Sequence, residues 1–155
     1  MLFIFMGESC TGKSTIADII SDKINAEVCS GKEYLKLAKN EYDAWRIFYD
    51  KLVDASADVY NCDNNIIYVI TETDMIAKLD NFNCVKVKFI ADIDIIKTRF
   101  SKRMKGNLPK PIISMIERKS LEWKEIEGDI VLDTSKNDIE ENINKIVEVI
   151  YKKNG

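Results

Sequence analysis

The sequence predicts an α/β protein with a parallel, doubly wound sheet of about five strands, flanked by helices on both faces. Short, continuously apolar runs alternate along the chain with stretches in which apolar residues recur every three or four positions. The first pattern is typical of strands buried on both faces, and the second of amphipathic helices. The length of 155 residues suits one domain, and no repeat or linker divides the chain, so we expect a single domain over residues 1–155.

The first half of the chain contains three predicted strands and two predicted helices. Residues 2–6 are all apolar and run into a glycine, as expected of a central strand. Apolar residues at helical spacing then predict a helix over 14–24, followed by a short strand over 26–29. A longer stripe over 35–55 predicts one long helix, and residues 66–70 form the third strand.

The second half continues the alternation. The predicted elements are a strand over 85–90, a helix over 95–105, a helix over 112–124, a strand over 130–132 and a helix that begins near residue 137. Asp92 or Asp94 is expected to cap the first of these helices. Asn137, with Glu140 three residues later, is expected to cap the last one as a variant of the capping box. The segment 106–111 contains one glycine and two prolines and breaks the chain between two helices.

The composition excludes several classes of function. Histidine is absent, so the chain contains neither a Ser-His-Asp triad nor a His-ligated zinc site. There are 23 basic and 26 acidic residues, giving a formal charge of −3. This balance supplies no general electrostatic reason to bind nucleic acid.

The cysteines and the N-terminal residues bear on location. The four cysteines are widely spaced and form no C-x-x-C pair, which favours free thiols in a reducing compartment: Cys10, Cys29, Cys62 and Cys84. The apolar residues 1–6 are too few for a signal peptide or a spanning helix. We therefore expect a cytoplasmic protein without a membrane partner.

The most specific feature is the sequence GESCTGKS over residues 7–14, a complete G-x-x-x-x-G-K-[ST] pattern. Glycines at both ends let backbone N–H groups turn inward onto phosphate oxygens, and the following helix adds its positive N-terminal end. The lysine of this pattern reaches the β- and γ-phosphates, and the serine hydroxyl ligates Mg²⁺. The predicted nucleotide-binding residues are therefore Gly7, Ser9, Cys10, Thr11, Gly12, Lys13, Ser14 and Thr15. We expect Cys10 to be a loop residue and not a nucleophile.

The sequence lacks the additional motifs of two other classes of protein that carry this loop. A GTPase needs an N-K-x-D element, but the sequence over 144–147 is NKIV and no D-x-x-G element exists. A motor ATPase carries two acids at the end of a hydrophobic strand, whereas residues 71–74 read TETD, with one acid followed two residues later by another.

The order of the elements resembles that of the small P-loop kinases, which include nucleoside monophosphate kinases and shikimate-type kinases. The resemblance is specific at the loop over 7–14, at the R-x-x-x-R pair and at a short segment after the last strand. It implies a three-layer P-loop NTPase fold, an acceptor-binding helical insert at about 30–60 and a short lid at about 104–111. It also implies that ATP is the donor and that three residues line the adenine: Asp133, Thr134 and Ser135.

The arginines support this interpretation. Only four occur beside 19 lysines, so we expect arginine where a planar fork must grip phosphate at two points. Arg99 and Arg103 lie four residues apart and share one helix face, from which they can clamp a transferring phosphoryl group. Arg46 and Arg118 are the predicted acceptor-binding residues.

An acid beyond the third strand completes the predicted site. Glu72 would lie at the carboxyl edge of the sheet, where ligands bind in open α/β folds. It is predicted to hold Mg²⁺ together with Ser14, or to orient the acceptor, and Asp74 competes for the same role.

The sequence thus predicts a Mg²⁺- and ATP-dependent kinase of a small acceptor. The second strand ends in Cys29-Ser30-Gly31-Lys32, without the aspartate that would serve a hydroxyl acceptor, which favours a phosphorylated acceptor such as a nucleoside monophosphate. Two alternatives stay open. One is a kinase of a hydroxyl acceptor: shikimate-like, gluconate-like, a nucleoside or a polynucleotide 5′-end. The other is a regulatory module that binds ATP without an acceptor.

Overall fold

The computed structural model describes residues 1–57 and 64–154. Cys62 and the end of the predicted insert, near residue 60, lie outside the described residues. The described residues contain five strands and five α-helices, in this order: β1 (Leu2–Met6), α1 (Lys13–Ile24), β2 (Ala26–Ser30), α2 (Glu41–Ala57), β3 (Asn65–Ile70), β4 (Val85–Ile90), α3 (Ile93–Arg103), α4 (Lys110–Lys124), β5 (Ile130–Asp133) and α5 (Ile139–Asn154).

The five strands form one parallel sheet in the order β2-β3-β1-β4-β5. β1 lies in the centre, with Leu2 opposite Ile66 of β3 and Phe3 opposite Val85 of β4. The chain moves from β1 to one side of the sheet and later returns to fill the other side. The loop after β1 is therefore at the point where ligands bind in open α/β sheets, outside the carboxyl ends of the strands.

Helices cover both faces of the sheet, which confirms the predicted fold class. Alternate residues of β1 enter different cores: Ile4 packs on the α2 side with Phe48 and Tyr68, whereas Phe5 packs on the side of α1 and α5. All five residues of β1 are buried, and this double burial is the physical reason for the unbroken apolar run. None of the helices within 1–57 and 64–154 is long and apolar enough to cross a membrane.

The stripe over 35–55 forms two segments and not the single helix expected from its spacing. A short 3₁₀ segment spans Glu33–Leu37, and α2 begins only at Glu41. Asn40 separates them, because its side-chain oxygen accepts a hydrogen bond from the Asp43 backbone N–H at 2.8 Å and so caps α2. Apolar periodicity passes through this break because both segments pack on the same core.

Two of the predicted helix caps need correction. α3 begins at Ile93, with Asp92 in the N-cap position, but the Asp92 side chain makes no capping hydrogen bond. α5 begins at Ile139, and its cap is Asp138, whose carboxylate accepts a hydrogen bond from the Glu141 N–H at 2.8 Å. The predicted box of Asn137 and Glu140 is therefore wrong by one residue, and Asn137 belongs to the preceding turn.

Candidate active site

The loop over residues 7–14 joins β1 to α1 and depends on its two glycines. Gly7 has φ +150°, and a Cβ atom there would lie 2.4 Å from the Phe89 carbonyl oxygen. Gly12 has φ +85°, and a Cβ atom there would meet the Thr134 methyl group at 3.4 Å. At Gly7 a side chain would clash with the neighbouring backbone, whereas at Gly12 the contact is ordinary and the positive φ is what favours glycine. Cys10 also has a positive φ, of 65°, and its side chain is buried.

Lys13 lies over this loop with only 5% of its surface exposed. Its ammonium group donates to the Glu8 backbone oxygen and, at 3.4 Å, to the Thr11 hydroxyl. Burial lowers the pKa of Lys13 to about 8, because the charged form loses water, although the nearby Cys10 and Glu8 act in the opposite direction. A buried cation held against inward-turned backbone groups is the arrangement that an anionic ligand would stabilise.

Glu8 is a feature of the loop to which the sequence analysis assigned no role. One carboxylate oxygen, Oε2, is buried and has no hydrogen-bond partner among the described residues. Burial raises the pKa of Glu8, and the positive charges of Lys13 and Lys88 only partly counter it. No sequence signal distinguishes this acid from the variable residues of the pattern.

Two cavities adjoin the loop. One, of about 280 Å³, lies between the loop and the end of β2, and we call it the β2-side cavity; Lys13, Ser14, Ser30, Thr71 and Arg103 are among its lining residues. The other, of about 330 Å³, lies against the start of α5, and we call it the α5-side cavity; it includes Arg99, Arg103, Thr134, Asn137 and Asn142. The two share Cys10, Gly12, Thr15 and Arg103, so they are the two ends of one depression along the loop.

The structure brings Arg99 and Arg103 to this depression but gives them different surroundings. The Arg99 guanidinium donates to the Cys10 carbonyl at 2.9 Å, to the Thr134 hydroxyl at 3.0 Å and to the Thr134 carbonyl at 3.1 Å. Arg103, one turn later on α3, has no hydrogen bond or ion pair with any residue that the structure describes and lines both cavities. Arg103 is therefore the cation available to a ligand, whereas Arg99 already holds two segments of protein together.

The segment predicted to line the adenine, residues 133–135, forms hydrogen bonds with the glycine loop and within its own turn. The Thr134 hydroxyl donates to the Thr11 carbonyl at 3.0 Å. Asp133 accepts hydrogen bonds from the Ser135 N–H at 2.9 Å and from the Ser135 hydroxyl at 2.5 Å. Burial would raise the pKa of Asp133, but these bonds keep it below its usual value. Of the three residues, Thr134 lines the α5-side cavity, and Asp133 shapes the turn.

Glu72 lies at the carboxyl end of β3, as predicted, and is already paired. Its carboxylate forms an ion pair with Lys119 of α4, and Lys119 is also 3.6 Å from Glu122. The hydrogen bond to Glu72 raises the pKa of Lys119. Beside this pair, Trp123 donates to the Thr71 carbonyl at 3.0 Å and so fixes α4 to the same turn.

A third, small cavity of about 40 Å³ adjoins this pair. It is lined on its polar side by Glu8, Ser9, Thr71, Glu72 and Lys119. Asp74 is exposed and lines none of the three cavities, so of the two acids that follow β3 only Glu72 lines a cavity here. The sequence analysis missed Lys119, because nothing in so lysine-rich a chain separates it from its neighbours.

The two predicted acceptor-binding arginines lie away from the cavities. Arg46 is exposed on α2, and it has no partner among the residues described. Arg118 is exposed on α4, with its Nε 3.9 Å from Glu122. The structure therefore does not bring either of them together with Lys13 and Arg103.

The donor set fits a Mg²⁺ ion that arrives with a nucleotide. Within 1–57 and 64–154 no group of three or more Asp, Glu or Cys side chains could hold a metal ion. Ser14 presents an exposed hydroxyl at the first turn of α1, beside the β2-side cavity. The structure does not bring Glu72 to the cavity that Ser14 lines, so the predicted pair does not form a metal site by itself. One hydroxyl is too few ligands for Mg²⁺, and phosphate oxygens would have to supply the remainder.

No protein-family model matches the chain, and no curated protein sequence matches it. Solved structures match it over nearly its whole length. A shikimate kinase from Bacteroides thetaiotaomicron is 12% identical, with a TM-score of 0.61 over 97% of this chain and 98% of that one. A gluconokinase from Sinorhizobium meliloti is 11% identical, with a TM-score of 0.57 over 99% and 97%. The chain has the fold of the small P-loop kinases.

A further neighbour is a nucleotide complex. The YorR protein of Bacillus subtilis, solved in complex with phosphorylated GDP, is 19% identical, with a TM-score of 0.65 over 97% of this chain and 96% of that one. Likeness at these identities establishes the fold, and the substrates of this chain have to be argued from its own residues.

Proposed function

We propose that this chain is an ATP-dependent phosphotransferase that moves the γ-phosphoryl group of ATP to a small acceptor. The observation that carries the proposal is the convergence of Lys13 and Arg103 on the glycine loop, in a cavity with no acidic lining residue among those described. In the reaction an acceptor oxygen bonds to the γ-phosphorus as the bond from that phosphorus to the β–γ bridging oxygen breaks, and ADP leaves.

Each of these groups has a part in the proposed reaction. The loop N–H groups and Lys13 would bind the phosphates, and Arg103 would stabilise the charge on the transferring group. Mg²⁺, held by Ser14 and the nucleotide, would neutralise phosphate charge. Phosphoryl transfer proceeds largely by positioning and electrostatics, so a chain without histidine can perform it.

The preferred acceptor is a phosphorylated one, of the nucleoside monophosphate type. The β2-side cavity offers the cations Lys13 and Arg103 and the hydroxyl groups of Ser30 and Thr71. An anionic acceptor needs such partners and does not need a base, because its attacking oxygen already carries charge.

A hydroxyl acceptor is the second candidate, and the small third cavity is the observation that favours it. There Glu8 and Glu72 place two carboxylates beside Ser9 and Thr71. Ser9 and Thr71 also line the β2-side cavity. A carboxylate near the attacking oxygen assists a hydroxyl group, which must lose its proton. The similar structures named as a shikimate kinase and a gluconokinase would fit this chemistry.

An acceptor panel tests both. We expect ADP release from Mg-ATP to rise when a nucleoside monophosphate is added, and to rise less with nucleosides, shikimate or gluconate. Lys13→Ala should remove the activity, and Lys23→Ala, which changes an exposed lysine on the same helix, should leave it intact. If hydroxyl acceptors raise ADP release and nucleoside monophosphates do not, the preferred acceptor is overturned. Steady ATP hydrolysis that no acceptor stimulates would overturn the assignment of the chain as a kinase.

A further inference from the structure

Cys10 has a backbone conformation that residues other than glycine rarely adopt. Its φ is +65°, in the left-handed region that glycine enters without steric cost. A residue with a side chain keeps such a conformation only where the surrounding structure over-determines it, and such positions concentrate at active sites. The contacts of Cys10 therefore indicate what its side chain contributes that glycine could not.

The Cys10 side chain belongs to a small apolar cluster that is separate from the two cores on the faces of the sheet. We call it the hairpin cluster, because every other member that the structure describes comes from residues 91–116, which contain α3, the predicted lid and the first half of α4. The buried members beside Cys10 are Ile96 of α3 and Ile116 of α4. Partly buried apolar residues complete the cluster: Ala91, Ile93, Phe100, Leu108, Ile112 and Met115. Cys10 is thus the contribution of the glycine loop to the contact between α3 and α4.

The Cys10 backbone is held by the same helix. The Arg99 guanidinium, on α3, donates to the Cys10 carbonyl at 2.9 Å. Arg103 lies one turn further along α3, and its side chain lines both cavities without a partner among the described residues. Cys10 thus attaches the loop to α3 through its side chain and through its carbonyl. The position of α3 against the loop determines in turn how far the Arg103 guanidinium lies from phosphates on the loop.

We propose that Cys10 is a positioning residue that acts through Arg103: its buried side chain fixes α3 against the glycine loop and so holds the Arg103 guanidinium at the transferring phosphoryl group. The inference rests on the proposed function, in which Arg103 stabilises the charge of that group. Placement matters steeply, since a displacement of about 1 Å can cost roughly a hundredfold in rate. The thiol takes no part in the chemistry, and burial raises its pKa, as expected of an unreactive cysteine.

Cys10→Ala removes the sulfur atom from the hairpin cluster and leaves Arg103 unchanged. We expect kcat for phosphoryl transfer to fall roughly tenfold or more, while the Kd for Mg-ATP changes by less than about threefold. The matched control is Cys84→Ala, which removes a half-buried thiol just before β4, at the opposite end of the sheet from the loop, and should change neither value. An unchanged kcat in a folded Cys10→Ala protein would overturn the proposal.

A double-mutant cycle with Arg103→Ala separates positioning from a general loss of structure. Because Cys10 is proposed to act through Arg103, Cys10→Ala should lower kcat no further once the Arg103 guanidinium is absent. A fall in kcat of equal size with and without Arg103 would show that Cys10 acts in some other way, and would overturn the proposal.

Cys10→Gly separates the backbone strain from the contact of the side chain. Glycine adopts the positive φ without cost, so this variant should melt about 2–4 °C above Cys10→Ala. It also lacks the sulfur atom, so we expect its kcat to fall as far as that of Cys10→Ala. A Cys10→Gly protein with full kcat would show that the side chain positions nothing.

Amide hydrogen exchange tests the coupling without catalysis. Saturating Mg-ATP should slow exchange in residues 110–116 of α4, which line neither of the two larger cavities, because the loop and the hairpin cluster respond as one unit. The slowing should be lost in Cys10→Ala. If Mg-ATP leaves this exchange unchanged in the unaltered protein, the positioning role is overturned. If exchange slows but the protein transfers phosphate to none of the acceptors offered, the proposed function alone is overturned.

Discussion

The α5 side of the site and its opposite side, where Glu72 pairs with Lys119 and which we call the acceptor side after the proposed function, are held together in different ways. On the α5 side, Arg99 bonds to both the glycine loop and Thr134, and Thr134 bonds back to the loop, all at 2.9–3.1 Å. On the acceptor side, the buried Trp123 fixes α4 by core packing and one hydrogen bond, but the charged groups at the site are the pair of Lys119 with Glu72, a carboxylate that is 54% exposed.

This difference teaches which half of the site is ready before a substrate binds. Groups held by several bonds lose little freedom when a ligand arrives, whereas exposed charges on long side chains must be ordered at that moment. We infer that the α5 side fixes the nucleotide and that the acceptor itself draws the other side together.

Arg103→Ala should have the largest effect of these variants. Its side chain makes no protein bond within the described residues and lines both cavities, so its charge is available to the transferring group. We expect kcat to fall by about 10²–10³, as for loss of one group that stabilises transition-state charge, with a nucleotide Kd that changes only slightly. Lys124→Ala, an exposed lysine on α4, is the control and should behave as the unchanged protein. A large rise in Kd with unchanged kcat would assign Arg103 to ground-state binding.

Arg99→Ala should act in the opposite way, mainly on binding. Removal of a guanidinium with three hydrogen bonds frees the loop from Thr134, so we expect nucleotide Kd to rise roughly tenfold and stability to fall by about 1.5–3 kcal/mol. In a double-mutant cycle with Thr134→Val the two changes should be strongly non-additive. Additive effects would show that the two side chains do not work as one unit.

ATP binding should take up a proton near pH 8–9. Burial lowers the pKa of Lys13 to about 8, and bound phosphates would raise it again, so the free protein is partly deprotonated in this range and the complex is protonated. ATP affinity should therefore fall as the pH rises through about 8. Calorimetry in buffers of different ionisation enthalpy measures the uptake. Binding without proton uptake at pH 8.5 would contradict the assignment of Lys13 to the phosphates.

The same pKa has a consequence for stability. Because the pKa of Lys13 is lower in the folded than in the unfolded chain, the folded protein without ligand bears the full penalty below pH 8. That penalty is relieved as the pH rises from about 8 toward the unfolded value.

Lys119→Met should have the smallest effect on stability. The ion pair with Glu72 is partly exposed, and such pairs contribute about 0–1 kcal/mol to the free energy of unfolding. We expect the KM for the acceptor to rise while the KM for ATP stays unchanged. Arg118→Met, at the adjacent exposed position, should change neither value. If Arg118→Met raises the KM for the acceptor more than Lys119→Met does, the sequence-based assignment of Arg118 to acceptor binding is restored.

The fold could be predicted from the sequence because β1 is an unbroken apolar run, β4 alternates apolar and lysine residues in step with its burial, and the helices have apolar stripes. The errors came from local capping. Asn40 divides a stripe that packs on one core, and Asp138 caps the last helix in place of its neighbour Asn137. Side chains that bond to nearby backbone leave no trace in apolar periodicity.

The place of the glycine loop between β1 and α1 could be predicted, but the buried Glu8 carboxylate within it could not. Arg99 and Arg103 lie where their spacing put them, but the Arg99 bonds depend on a turn more than thirty residues away in the chain. Lys119 resembles every other lysine in sequence.

Transfer of a labelled γ-phosphoryl group tests the central claim most directly. ATP labelled in the γ-position is incubated with Mg²⁺, the chain and a nucleoside monophosphate, and the labelled products are separated and identified. The account predicts one labelled nucleoside diphosphate for each ADP formed, and none with Lys13→Ala. Label that appears only as inorganic phosphate, or that stays in ATP with every acceptor offered, would contradict it.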